Sequence, residues 1–159
     1  MRAVVVTVSD RVSAGTAEDR SGPAAVAKLA SLGFPSAALH VVPDGVDSVR
    51  DALETLVAGH DLVVTTGGTG FSPRDLTPEA TRLVIDREAP GLAEAMRAAT
   101  FGKFPHGMLS RGVSGIAGST LIVNLPGSVK AVEESLDVIG PALNHAVELL
   151  IEGQSDHNM

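Results

Sequence analysis

Short unbroken apolar runs alternate along this chain with stretches whose apolar residues recur every three or four positions. The runs are 3–8 (AVVVTV), 37–42 (AALHVV), 62–65 (LVVT) and 121–125 (LIVNL), each short and rich in β-branched residues. Such runs predict strands covered on both faces. Between the first two, Pro23 opens a helix that turns Val26, Leu29 and Leu32 inward and stops at Gly33. Residues 48–57 place Val49, Ala52, Leu53, Leu56 and Val57 on one helical face, with Gly59 behind it. Thr77-Pro78-Glu79 reads as cap, first helical residue and dipole partner of a helix reaching about Glu88. Pro90-Gly91 breaks that helix before a second, from Leu92 to about Phe101, and 103–118 is Gly-rich and resists assignment. Ser128 caps a helix bearing Val129, Val132, Leu136 and Ile139, and Pro141 starts a last one bearing Leu143, Val147, Leu150 and Ile151. The alternation predicts an α/β chain: a three-layer αβα sandwich with a mostly parallel sheet. One domain is expected over 1–153, with a flexible tail over 154–159.

Composition removes several classes of function. The 159 residues fit a single domain, and 44% hydrophobic with 19% charged residues is ordinary globular material. There is no Cys, which excludes thiol catalysis, disulfide scaffolds and cysteine-based metal sites. With no Trp or Tyr and only 4 Phe, the chain offers no platform for stacking bases. The net charge of −7 has the wrong sign for a phosphate polymer, so neither nucleic acid nor an anionic membrane surface is an expected partner. No run approaches the ~18–20 apolar residues of a membrane span, no signal-peptide pattern opens the chain, and the cytoplasm is the expected compartment.

In open α/β sheets ligands bind beyond the carboxyl ends of the parallel strands. Four polar or glycine-bearing segments fall there: Ser9–Arg11, Asp44, Thr66–Asp75 and Asn124–Ser128. The strongest is Thr65-Thr66-Gly67-Gly68-Thr69-Gly70, whose glycines let the backbone approach an anion closely. It matches neither the P-loop nor the dinucleotide fingerprint, and a flexible strand exit is an equal reading of it. Arg74-Asp75 follows; a carboxylate beside a phosphate cradle suits Mg²⁺, though Asp75 could equally face the next helix dipole. Asp44 lies in an ordinary Pro-Asp-Gly turn, yet at a second strand's carboxyl end. Lys103, Ser110 and Arg111 could add positive charge or merely form a solvated loop, and Asn124–Ser128 is an anion seat or a plain cap. The five histidines (His40, His60, His106, His145, His157) have no metal-ligand spacing, and no Gly-x-Ser-x-Gly elbow is present.

Read together, these motifs resemble the MoaB/Mog family of molybdenum-cofactor biosynthesis. The signature is Thr65–Gly70 followed by Arg74-Asp75-x-Thr77-Pro78-x-Ala80-Thr81. Ser9-Asp10-Arg11 with Asp19-x-Ser21-Gly22, Pro43-Asp44, Arg87-Glu88-x-Pro90-Gly91, Leu109-Ser110-Arg111 and Asn124-Leu125-Pro126-Gly127 follow in the family's order. The resemblance covers nearly the whole chain and implies that αβα fold, assembled as homotrimers with some hexamers. It implies an Mg²⁺- and ATP-dependent transfer of AMP to the terminal phosphate of molybdopterin, releasing pyrophosphate. Asp44 and Asp75 would be the catalytic, metal-orienting carboxylates. Ser9, Asp10, Arg11, Thr66, Gly67, Gly68, Thr69, Gly70, Arg74, Ser110, Arg111, Pro126, Gly127 and Ser128 would hold the ligands. A molybdate-insertion protein is the implied partner. Two other readings stay open: a non-catalytic molybdopterin carrier of the same family, and a structural oligomer without ligand.

Overall fold

Six strands form one sheet in the order β2-β1-β3-β6-β5-β4. They are β1 (Ala3–Val8), β2 (Ala38–Val42), β3 (Leu62–Thr66), β4 (Arg87–Glu88), β5 (Ser114–Ala117) and β6 (Thr120–Leu125), in a computed structural model that describes residues 1–157, with side chains to residue 153. β2, β1, β3 and β6 run parallel, while β5 is antiparallel to β6 and β4 to β5. The helices are α1 (Asp10–Ser13), α2 (Ser21–Ser31), α3 (Val46–Val57), α4 (Thr77–Val84), α5 (Pro90–Ala98) and α6 (Val129–His157), with a 3₁₀ turn at Pro105–Leu109.

Three layers follow from the strands' two-residue period. Ala3 and Val5 of β1 pack with Leu29 of α2, Met96 of α5 and Leu136 and Leu143 of α6. Val4, Val6 and Val8 point to the other face, against Val49, Leu53 and Leu56 of α3 and Ala80 of α4. Every residue of β1 is buried, which is why that run is apolar without alternation. The chain leaves β1 toward β2 on one side and returns to β3 on the other. That reversal of strand order opens a crevice at the carboxyl ends of β1 and β3.

Several elements differ from the sequence reading. The two helices expected around Pro141 are one, with the proline inside α6. An interior proline costs about 3 kcal/mol. Burial of Leu136, Ile139, Leu143 and Val147 on one face, at roughly 1.5–3 kcal/mol each, outweighs it. The helix expected to reach Glu88 ends at Val84, because Arg87 and Glu88 pair with β5 as the two-residue β4. Pro90 begins α5 instead of preceding it. The Gly-rich stretch contains the 3₁₀ turn and β5, whose Gly115 is pressed so closely on Ile85 that a side chain would not fit. The tail expected at 154–159 falls partly on the backbone of α6, which runs to His157, and partly on residues 158–159, outside the described residues.

Candidate functional site

The glycine loop leaves β3 tied to the neighbouring strand end. The Thr66 hydroxyl donates to the Pro126 carbonyl at 2.7 Å, and the Gly67 N–H donates to the Leu125 carbonyl at 3.2 Å. Gly67 has φ +98°, and a Cβ there would collide with the Val8 carbonyl oxygen, so glycine is required twice over. Beyond it, four successive carbonyls are held from within the chain. Gly67 O accepts from Thr77 Oγ1 at 3.0 Å and Gly68 O from the Thr77 N–H at 3.1 Å. Thr69 O accepts from the Arg111 N–H at 2.8 Å and Gly70 O from Arg111 Nε at 2.9 Å. Among the described residues, the N–H groups of Gly68, Thr69, Gly70 and Phe71 have no acceptor within the chain. The Thr69 side chain, 6% exposed, likewise makes no hydrogen bond. Thr77, expected as a helix cap, makes no capping bond; its hydroxyl faces the loop instead.

Three carboxylates stand beside this loop in different circumstances. Asp10, at the start of α1, receives both arms of Arg74, Nε on Oδ2 and Nη2 on Oδ1, each at 2.9 Å. That pairing holds its carboxyl below the ordinary range. Arg74 also donates to the Asp44 carbonyl at 2.8 Å. Asp10 and Asp44 exchange bonds, the Asp10 N–H donating to Asp44 Oδ2 at 2.9 Å and the Asp44 N–H to Asp10 Oδ1 at 3.1 Å. Among the described residues, no side-chain cation bonds to the Asp44 carboxylate. Burial pushes its carboxyl above the ordinary range, with the charges of Asp10 and Asp75 adding to the rise and the Asp10 N–H and Arg74 opposing it. Among the described residues, the Asp75 carboxylate accepts only the Ser72 N–H, at 3.0 Å. A Cβ on Gly68 would lie 3.2 Å from Asp44 Oδ1, and one on Gly70 would lie 2.9 Å from Asp75 Oδ2. Two carboxylates without a cationic partner therefore border a row of free N–H donors, through gaps that only glycine leaves.

Most of the expected ligand residues line two clefts that meet at Gly67 and Gly127, whereas Asp10, Arg74, Arg111 and Asp44 line neither. One, of about 380 Å³, is lined by Ser9, Arg11, Ser128 and residues at the start of α2. The other, of about 500 Å³, is lined by Gly67–Phe71, Asp75, Ser110, Pro126 and Gly127. Ser9 and Ser128 also serve as caps, accepting from the N–H groups of Val12 and Ala131 at 3.2 Å each. Lys103 is apart from the loop, on a third cavity of about 410 Å³ between α5, the 3₁₀ turn and α6. Arg111 is committed within the fold: besides its two bonds to the loop it donates to the Asp75 carbonyl at 2.6 Å and pairs closely with Glu79, whose carboxyl it holds below the ordinary range. Among the described residues no group of three or more His, Asp or Glu side chains is placed to hold a metal ion.

Sequence reasoning placed Thr77 as a helix cap and Asn124 at the head of a rim segment, and gave neither these nor Glu79 a part in fixing the loop. Asn124 is buried, its Nδ2 donating to Thr65 and Thr81 at 3.0 Å each and its Oδ1 accepting from Val113 at 3.1 Å. The signal was present, an amide in the middle of the apolar run LIVNL. A buried polar side chain there needs partners on both neighbouring elements. Asp19 was also underused: it accepts from the Thr7 hydroxyl at 2.8 Å and the Gly22 N–H at 3.0 Å, fastening the start of α2 to β1.

Residues 4–145 match the family model described as "Probable molybdopterin binding domain". The chain is 42% identical to gephyrin of Dictyostelium discoideum across 92% of its own length. It spans only 22% of that protein, and only 25% of cinnamon of Drosophila melanogaster, a molybdenum cofactor synthesis protein. It is 39% identical to the molybdopterin adenylyltransferase of Helicobacter pylori J99, covering 92% of this chain and 86% of that one. Among solved structures, MogA superposes with a TM-score of 0.90 at 46% identity, covering 94% of this chain and 99% of MogA. The Mog protein of Mycobacterium ulcerans does so at 0.87 and 45% identity, with coverages of 93% and 97%. The order of motifs, the six-stranded sheet and these similarities agree: the chain belongs to the MoaB/Mog family of molybdenum-cofactor biosynthesis.

Proposed function

We propose that the chain is a molybdopterin adenylyltransferase. A terminal phosphate oxygen of molybdopterin attacks the α-phosphorus of ATP, the bond to the bridging oxygen breaks, and pyrophosphate departs. The observation that carries this reading is the pairing of two cation-free carboxylates, Asp44 and Asp75, with four successive free N–H groups. The N–H groups suit phosphate oxygens. The carboxylates suit a hard dication that completes its shell with phosphate and water. Magnesium bound there would supply positive charge to the α-phosphate and to the departing pyrophosphate. The chain's own contribution is alignment and charge placement, with no covalent nucleophile needed.

Purified protein supplied with ATP, Mg²⁺ and molybdopterin should release pyrophosphate, and omission of any one should stop it. Asp75→Asn should bind molybdopterin and keep its melting temperature while losing turnover by about 100-fold or more. Tight molybdopterin binding with no pyrophosphate from the wild type would favour the carrier reading instead. The proposal extends to assembly as a homotrimer, supported by Phe71, Met108 and Leu109, exposed by 69%, 57% and 44% next to the site. It also extends to action in the cytoplasm and to delivery of the product to a molybdate-insertion protein.

A further inference from the structure

A trans peptide unit is planar, with its C=O and the following N–H pointing in opposite directions. Whatever holds the carbonyl of residue i therefore aims the N–H of residue i+1. In the glycine loop two residues hold four consecutive carbonyls, Thr77 those of Gly67 and Gly68 and Arg111 those of Thr69 and Gly70. We propose that Thr77 and Arg111 are positioning residues that aim the N–H groups of Gly68, Thr69, Gly70 and Phe71 at a polyphosphate, and that Arg111 acts on the ligand only through this backbone. The proposal rests on the reading of the loop as a nucleotide phosphate site.

Three further observations support it. Two of the four peptide units begin at glycines with φ of +98° and +68°, so without external ties their orientation would be loosely set. Thr77 is itself fixed from below: its carbonyl accepts the Thr81 hydroxyl at 2.8 Å, and Thr81 accepts from the buried Asn124. Arg111 has its guanidinium engaged by Gly70 O, Asp75 O and Glu79, leaving a fork filled by the protein where a phosphate ligand would need it open.

Calorimetric titration of the full chain with ATP, and separately with molybdopterin, tests this. Thr77→Val removes the hydroxyl bond and keeps the N–H bond, and should weaken ATP binding about tenfold. Thr77→Ser should restore ATP affinity, and molybdopterin affinity should change less than ATP affinity in the valine variant. Arg111→Lys keeps the charge but cannot reproduce the fork, so it should lose as much ATP affinity as Arg111→Met. Unchanged ATP affinity in Thr77→Val overturns the role of Thr77. Lysine retaining affinity that methionine loses overturns that of Arg111, because a charge in contact with phosphate would then explain it. If Thr77→Val does not fold, the Arg111 pair still decides the matter. A wild-type chain that binds neither ATP nor pyrophosphate overturns the functional reading and this proposal with it. ATP binding with flat variants overturns the proposal alone.

Discussion

Two corners of the same rim carry aspartates, and they are arranged in opposite ways. At the Asp10 corner both carboxylate oxygens meet Arg74, so charge is cancelled inside the protein and three loops are tied together. At the Asp44–Asp75 corner the carboxylates take backbone N–H groups only, and the adjoining amides face no internal acceptor. The first corner is closed on itself and the second is left open. Acidic residue type does not separate them, nor does nearness to the glycine loop. What separates them is whether the complementary charge is already present in the fold.

The sharpest way to break this comparison is to remove one charge from each corner. On the proposed reading, Asp44→Asn should lower turnover by about 100-fold or more, since no other carboxylate free of a cation borders Gly68 to replace it. Asp10→Asn should lower it by less than about tenfold, because an exposed pair that cancels within the protein contributes little. Steady-state pyrophosphate release reads both. Equal losses would overturn the distinction between the two corners and give Asp10 the role proposed for Asp44.

The four parallel strands, the layering and the glycine loop were legible because β-branched runs and clustered glycines express local constraints; β4 and β5, which carry no such run, were missed. The long-range commitments were not. Thr77 stands in a sequence that reads as a helix cap, yet its hydroxyl reaches Gly67, ten residues back, because the loop folds over the start of α4. Arg111 reads as a cation for a ligand, and only the fold shows its partner Glu79 on another element. Asp10 and Arg74 are 64 residues apart, so nothing local distinguishes the paired aspartate from the two open ones. Pro141 misled for a different reason: helix-stop rules describe isolated helices, whereas α6 is held by the face it buries on the sheet.

A smaller effect sharpens the same contrast from the backbone side. The open corner depends on Gly67 passing close to β1. Gly67→Ala adds a left-handed residue, at about 1–2 kcal/mol, and a collision with a backbone oxygen, at about 1–3 kcal/mol more. Gly118 has φ +60° with open space around it, so Gly118→Ala should lose only the first part, about 1–2 kcal/mol. Urea unfolding of the two variants gives the difference. Gly67→Ala should also lose ATP binding, and Gly118→Ala, at the turn between β5 and β6, should not.

The smallest effect is in the acid range, where the two corners should titrate with opposite signs. Arg74 lowers the Asp10 carboxyl in the folded chain, so the unfolded chain binds the proton more readily. Its contribution to stability is present above the ordinary carboxylate value and is lost as pH falls from there through the lowered one. Burial raises Asp44, so there the folded chain holds the proton more tightly, and its ionisation subtracts stability as pH rises from the ordinary range through the raised value. Melting temperatures in metal-free buffer between pH 3 and 7 should show this directly. Asp10→Asn should fall below the wild type at neutral pH and converge with it in acid. Asp44→Asn should lie above the wild type at neutral pH, with the gap closing toward pH 3. Added magnesium and ATP should reverse the order for Asp44→Asn, since only the wild type gains the stability of a bound dication. If Asp44→Asn is the less stable protein even without metal, its carboxylate is being held by the fold, and the open corner is closed after all.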